Sequence, residues 1–216
     1  YDLIYLGHLC AALADRGIAT WNIEYRRAGD PGGGWPGTFH DVIAASRYLF
    51  DHAAELGIDP KRVITLGHSA GGHLANWLAS LLNVPKESDI AAEALPLRGV
   101  VPLAGVLDLE RCWELGLSDD AVGGFLGGTP EEVPERYAAT SPVALVPSHA
   151  PHLLLHGTWD ENVPIELSER YQQAATAAGG RSALLALPRA DHFDVVDPES
   201  PAWPAIEDAI VRLIGT

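Results

Sequence analysis

Apolar residues along the chain repeat at two different spacings, and the alternation between them predicts the order of helices and strands. Residues 3–16 have the three- and four-residue apolar spacing of a helix that ends before Gly17. Residues 18–25 are rich in β-branched and aromatic side chains, which favour a strand. Residues 26–37 contain too much glycine and proline for either element and are predicted as a loop.

The alternation continues from residue 38 to the end of the chain. Thr38 is predicted to cap a helix that runs to Gly57. Four apolar runs predict buried strands, and helices are predicted after Ser69, over residues 164–178 and at the C-terminus. The predicted strands are residues 63–66, 97–103, 152–156 and 182–187. This order predicts a single α/β domain over residues 1–216, with a mostly parallel sheet and helices on both faces.

Residues 108–147 interrupt the alternation with short helical pieces that glycine and proline break. Such an insertion in an α/β protein usually covers the site, so we expect it to act as a cap. Ligands of open α/β sheets bind beyond the carboxyl ends of the strands. The loops that leave those ends are therefore where catalytic residues are expected.

The most informative stretch is residues 63–75, V-I-T-L-G-H-S-A-G-G-H-L-A, which reads as a strand, a sharp turn and a helix. Its centre has the G-x-S-x-G pattern, in which the serine occupies a strained turn and the glycines allow neighbouring segments to approach. We therefore expect Ser69 to be a nucleophile exposed at the end of a strand. The helix that begins near Ala70 would aim its backbone N–H groups at a developing oxyanion.

A serine hydroxyl is a weak nucleophile without a base, so a histidine and an orienting acid are needed on other strand-end loops. His192 follows the last predicted strand, and Asp160 lies in the loop after the preceding one. Their order along the chain, serine then acid then histidine, is typical of this kind of site. We predict Ser69, Asp160 and His192 as the catalytic residues. Alternatives for the acid are Glu161, Asp191 and Asp108.

The balance of charged residues limits the classes of partner that the protein is expected to bind. The chain has 14 basic and 29 acidic residues and a net charge of −15, which disfavours nucleic acid and anionic membrane surfaces. No apolar run has the length needed to cross a bilayer. Cys10 and Cys112 lie in helix-like segments and do not indicate a disulfide framework, so a cytoplasmic location is expected.

Other signals for a site are weaker. His149, His152 and His156 have a helical ligand spacing, but their segment reads as a strand, from which side chains at those offsets do not converge on a metal. The glycines at 32–34 lack the lysine of a phosphate-binding loop. His68 and His73 flank the serine; His68 is a candidate substrate contact, and packing is the alternative for both.

Three motifs in combination resemble the α/β-hydrolase superfamily: G-H-S-A-G-G-H-L-A, H-G-T-W-D-E-N-V-P and A-D-H-F-D-V-V-D-P. N-I-E-Y-R-R and G-G-G-W-P-G-T-F look like its esterase and kynurenine formamidase (arylformamidase) branch. The resemblance implies an α/β-hydrolase fold, Ser69 as nucleophile, His192 as general base and acid, Asp160 as its acid, and the N–H of Ala70 as an oxyanion donor. It implies no metal or organic cofactor.

The resemblance also predicts a difference from that branch. Its members carry early strands and an H-G-G-x-W type loop before the first helix, whereas this chain starts after that position and contains no methionine. We therefore expect an N-terminally truncated form of the fold that lacks the second oxyanion donor.

The expected activity is hydrolysis of a small ester or aryl formamide through an acyl-enzyme. Trp35 and Trp159 are candidates for stacking on an aromatic leaving group, with packing under loops as the alternative. The competing interpretations are a non-catalytic binding domain of the same fold and an inactive fragment of an active parent.

Overall fold

The computed structural model describes residues 3–215, and its strands form one parallel sheet in the order β1-β2-β3-β4. Each strand is paired in register with the next, as in Leu66 with Val101 and Leu103 with Leu155. Their carboxyl ends consequently lie at one edge of the sheet. The strands are β1 (Ile64–His68), β2 (Gly99–Leu103), β3 (His152–Gly157) and β4 (Ser182–Leu187).

Helices cover both faces of this sheet, because each presents an apolar stripe to it. The helices are α1 (Gly7–Asp15), α2 (Gly37–Asp51), α3 (Ala53–Leu56), α4 (Ala70–Ala79), α5 (Leu109–Glu114), α6 (Ala121–Leu126), α7 (Pro134–Thr140), α8 (Glu166–Ala177) and α9 (Trp203–Ile214). On one face, Leu9 of α1 and Ile210 of α9 share a buried cluster with Val101. On the other, Trp77 of α4 packs with Phe39 of α2 and Val100. The predicted layers are confirmed.

The prediction of a strand at residues 18–25 is wrong, because within residues 3–215 no strand lies beside this segment to pair with its backbone. A cavity of about 920 Å³ lies between this segment and β1. Side chains hold the segment instead: Trp21 Nε1 donates to Ala45 O (3.1 Å) and Asn22 Nδ2 donates to Leu3 O (2.8 Å). Propensity alone does not form a strand without a partner for the ladder.

Thr38 does not cap its helix as predicted. The helix begins one residue earlier, at Gly37, and the Thr38 hydroxyl instead accepts from Gly34 N–H (3.0 Å) and donates to Arg26 O. The hydroxyl therefore ties the preceding loop to the helix. The predicted end at Gly57 is confirmed, with φ at 68°, although His52 divides the segment into α2 and α3.

Residues 108–147 contain α5, α6 and α7, and their largest side chains join the core that α4 builds. Tyr137 and Leu126 are fully buried there, and Ser118 reaches the cavity beside β1. The cap role of this insertion stays a prediction. Among residues 3–215, no helix combines the length and the apolar character that crossing a membrane requires.

Buried histidines make the stability of this fold sensitive to acid. Burial lowers the pKa of His73 to about 4 and that of His152 to about 4, and backbone carbonyl acceptors only partly oppose this effect. Between about pH 4 and 6.5 the unfolded chain therefore binds more protons at these positions than the folded chain does. The free energy of unfolding must fall as the pH is lowered through that window.

We expect urea unfolding at pH 4.5 to show a free energy lower than at pH 7, with roughly 2–3 kcal/mol lost for each of these histidines. The asparagine of His73→Asn cannot titrate. This variant should therefore lose only about half of the unfolding free energy that His73 and His152 together cause the parent chain to lose between pH 7 and pH 4.5. Equal stability of the parent chain at the two pH values would contradict the prediction.

Candidate active site

Ser69 occupies a strained turn between β1 and α4. Its backbone angles are φ 56° and ψ −118°, a region that residues with a side chain rarely adopt. The turn is held because Ser69 N–H donates to Leu103 O (2.9 Å), while Ser69 O accepts from His73 N–H (3.1 Å) and Val106 N–H (3.3 Å). Hydrogen bonds from both sides thus fix the serine at the end of the strand, as the G-x-S-x-G pattern indicates.

The glycines of this turn have different roles. A Cβ on Gly67 would lie 2.1 Å from Gly71 O, and a Cβ on Gly72 would lie 2.8 Å from the Cα of Gly105. Among the described residues, a Cβ on Gly71 would meet nothing within 4 Å. Close approach therefore requires glycine at 67 and 72, and the second glycine of the pattern borders the cavity.

Ala70 is the first residue of α4, so its N–H has no partner within the helix. The N-terminal N–H groups of a helix carry partial positive charge and suit an anion. Ala70 is also the residue directly after the serine, which is the position of an oxyanion donor in this kind of turn. The oxyanion role of Ala70 stays a prediction, for which a helix N-terminus provides the N–H.

The structure brings His192 and Asp160 together at the carboxyl edge of the sheet. The Asp160 side chain is fully buried, and its Oδ2 accepts from His192 Nδ1 at 2.7 Å. Its Oδ1 accepts from the backbone N–H groups of Asn162 (2.9 Å) and Val163 (2.8 Å). The carboxylate is therefore fixed, and it sets the His192 tautomer whose Nε2 is free to take a proton.

Burial alone would raise the pKa of Asp160, but hydrogen bonds outweigh it and hold that pKa well below its usual range. The largest of these bonds come from His156 and His192, followed by Val163 N–H. The His156 Nε2 atom lies 3.4 Å from Asp160 Oδ2 and 2.8 Å from Val163 O. Asp160 is thus an anion at neutral pH, able to stabilise a protonated imidazole beside it.

His68, directly before the serine, lies against the catalytic candidates. Its ring centre is 4.3 Å from that of His192, and its Nε2 is 2.7 Å from the backbone oxygen of His192. Its Nδ1 is 3.0 Å from the hydroxyl of Tyr5. Burial lowers the pKa of His68 to about 4, and the neighbouring His192 adds to that effect. His68 is consequently neutral at physiological pH.

Ser69 and His192 line the same cavity, the one between β1 and residues 18–25. A second cleft, of about 530 Å³, opens beside it and is lined by Trp159, Phe193 and three polar residues: Glu161, Asn162 and Asp191. Trp159 is 62% exposed, so its ring is available for contact with a ligand. Trp35 lies elsewhere: it packs against Phe39, and the Arg136 guanidinium stacks over its ring.

The alternative acids have other partners. Asp108 caps α5 by accepting from Arg111 N–H (3.0 Å) and pairs with Arg170 Nε (2.7 Å). Asp191 accepts from the N–H groups of Phe193 and Asp194 and so shapes the turn that carries His192. The orienting position is therefore occupied by Asp160.

Three further histidines are hydrogen-bonded in separate places. His149 contacts Leu95 O, His152 contacts Ala150 O, and His73 contacts Thr140 O. Each ring therefore contacts a different backbone carbonyl, and the three rings do not form one cluster. Sequence reasoning missed Tyr5, which no spacing connects with His68, 63 residues away. It also missed the contact of His156 with Asp160, which the metal-ligand spacing of that histidine does not indicate.

The BD-FAE family model matches residues 3–174. Among curated relatives, the probable carboxylic ester hydrolase LipM of Mycobacterium tuberculosis is 28% identical over 211 residues, which are 92% of this chain and 47% of that protein. The probable isoprenylcysteine alpha-carbonyl methylesterase ICME of Oryza sativa subsp. japonica is 28% identical over 201 residues, 85% of this chain and 46% of that protein. The chain spans about half the length of these relatives.

Among solved structures, the propionate-bound thermophilic esterase Est2 of Thermogutta terrifontis superposes with a TM-score of 0.74 at 26% identity. The match covers 97% of this chain and 78% of the esterase chain. Together with the parallel sheet and its flanking helices, this likeness confirms the α/β-hydrolase fold.

Proposed function

The chain belongs to the BD-FAE family, and from this premise we propose that it is a carboxylic ester hydrolase that works through an acyl-enzyme on Ser69. His192 would act as general base and acid, and Asp160 would orient it. The observation that carries the proposal is the 2.7 Å bond between His192 Nδ1 and buried Asp160, because His192 also lines the cavity that the strained Ser69 lines. Relatives named as ester hydrolases support the reaction class.

The proposed reaction has two halves. In the first, Ser69 Oγ attacks the ester carbonyl carbon while its proton passes to His192 Nε2, and Ala70 N–H stabilises the oxyanion. The tetrahedral intermediate then collapses, and the alcohol leaves with the proton from His192. In the second half, a water gives a proton to His192 and attacks the acyl carbon. His192 then returns the proton to Ser69 Oγ as the bond from Oγ to the acyl carbon breaks and the carboxylic acid leaves. Asp160 stabilises the imidazolium in both halves.

We place the alcohol portion of the substrate in the cleft beside Trp159 and Phe193, since it adjoins His192, which must protonate that portion. We further propose that residues 108–147 act as a cap, since Ser118 lines the same cavity as Ser69. A formamide carbonyl would undergo the same chemistry, but the relatives' names favour an ester.

Ser69→Ala should reduce hydrolysis of p-nitrophenyl acetate by roughly 10³-fold or more, because no other hydroxyl replaces the nucleophile. A fluorophosphonate probe should label the parent chain at Ser69. The matched control is Ser80→Ala, which removes a buried hydroxyl bonded to Asn76 O at the other end of α4 and should retain activity. Full activity of folded Ser69→Ala would refute the mechanism. A parent chain that neither hydrolyses esters nor takes the probe would favour a non-catalytic binding domain.

Asp160→Asn should lower kcat by roughly 10²–10⁴-fold with little change in KM, because an amide cannot hold the His192 tautomer or stabilise its cation. Asp108→Asn is the control, since Asp108 is equally buried but pairs with Arg170. That variant should unfold at a lower temperature and keep its kcat. The reverse pattern, with Asp108 controlling kcat, would overturn the assignment of the acid.

The leaving-group cleft can be tested with a pair of acetate esters. Trp159→Ala should raise KM about 3- to 10-fold for p-nitrophenyl acetate, whose ring can stack, and leave KM for ethyl acetate unchanged. Parallel assays with N-formylkynurenine should give a kcat/KM at least about tenfold below that of the aryl ester. A higher value for the formamide would identify an arylformamidase and refute the preference for esters.

A further inference from the structure

Two hydrogen bonds connect the segment before α1 with the backbone of His192. The Tyr5 hydroxyl is 3.0 Å from His68 Nδ1, and His68 Nε2 is 2.7 Å from His192 O. We propose that Tyr5 and His68 are positioning residues, in which Tyr5 fixes the tautomer of His68 and His68 anchors the backbone that carries His192. This inference rests on the proposed role of His192 as the base.

The acceptor in each of these two hydrogen bonds determines which atom carries the proton. A backbone carbonyl only accepts, so the proton at the 2.7 Å contact belongs to His68 Nε2. In a neutral ring the other nitrogen is then an acceptor, and the Tyr5 hydroxyl must donate to His68 Nδ1. Without that donor, His68 could place its proton on Nδ1 and turn a lone pair toward His192 O. Tyr5 therefore makes the anchoring tautomer the favoured one.

His68 must stay neutral because its ring lies beside that of His192. The His192 ring lies 4.3 Å away, and Asp160 and His156 also act on His68 electrostatically. A charged His68 would repel the imidazolium that His192 becomes when it accepts the serine proton. Burial, with 6% of His68 exposed, and a Tyr5 donor at Nδ1 both disfavour that charge.

The anchor acts on the loop that follows β4. Asp160 holds the His192 imidazole from one side, and the His68 bond holds the main chain of the same residue from the other. Two fixed points leave the ring little freedom to move within the cavity that Ser69 also lines. The contribution should therefore appear in the proton-transfer steps, and hence in kcat, more than in substrate affinity.

The first test is Tyr5→Phe, which keeps the ring that packs on His68 and removes the hydroxyl alone. We expect kcat for p-nitrophenyl acetate to fall about 5- to 30-fold with KM within twofold. The proton shared by His192 and Asp160 should exchange faster with water in proton NMR spectra. Tyr171→Phe is the matched control, because Tyr171 is a fully buried tyrosine of α8, outside this site, and its hydroxyl loss should leave both readouts unchanged.

The second test is a double-mutant cycle with His68→Gln. A glutamine side chain also presents an N–H toward His192 O, but its amide has no tautomer, so in this background the Tyr5 hydroxyl has nothing to fix. Adding Tyr5→Phe to His68→Gln should then cost nothing further. Independent, additive losses would show that Tyr5 does not act through His68 and would overturn the inference.

The outcomes separate this inference from the proposed function. If Ser69→Ala is inactive and Ser69 takes the probe, but Tyr5→Phe changes neither kcat nor the shared proton, only the positioning role is wrong. If folded Ser69→Ala keeps full activity, the proposed function itself fails and this inference fails with it.

Discussion

The bond between Asp160 and His192 is the contact on which the candidate site depends. It joins loops that leave two neighbouring strands, β3 and β4, and it closes only because those strands are parallel and in register, as in His156 with Ala186. A buried carboxylate is costly unless donors surround it. Asp160 has the N–H groups of Asn162 and Val163 on one oxygen and His192 on the other. The loop that carries the acid thus folds around it and preorganises it.

The packing of the sheet also fixes the backbone conformation of Ser69. Gly67 lies so close to Gly71 O that any side chain there would collide, and Ser69 must adopt a positive φ for α4 to pack back on β1. Strain of this kind persists only where neighbouring contacts enforce it. Here the bond from Ser69 N–H to Leu103 O ties the strained residue to the end of β2. The positions of all three candidate residues therefore follow from one edge of one sheet.

Most of the fold and the contact between Asp160 and His192 could be predicted from the sequence, because periodicity and turn chemistry are local properties. The four strands and the strained turn at Ser69 follow from short-range patterns. Asp160 and His192 could be selected because each lies in the loop directly after a predicted strand. Residues 18–25 show the limit of this reasoning: their composition favours a strand, but a ladder needs a neighbour, and a cavity stands in that place. Tyr5 could not be found either, because its contact with His68 depends on how α1 docks.

The histidines of the site show how a partner decides the role of a residue type. His68 and His73 are both buried, and each contacts a backbone carbonyl, a neutral acceptor that does not offset the cost of burying a charge. Both are held neutral. His192 is just as buried, but its Nδ1 lies 2.7 Å from the carboxylate of Asp160. In the mechanism that we propose, His192 accepts and returns a proton, while His68, in ring contact with it, stays uncharged and does not oppose that proton transfer.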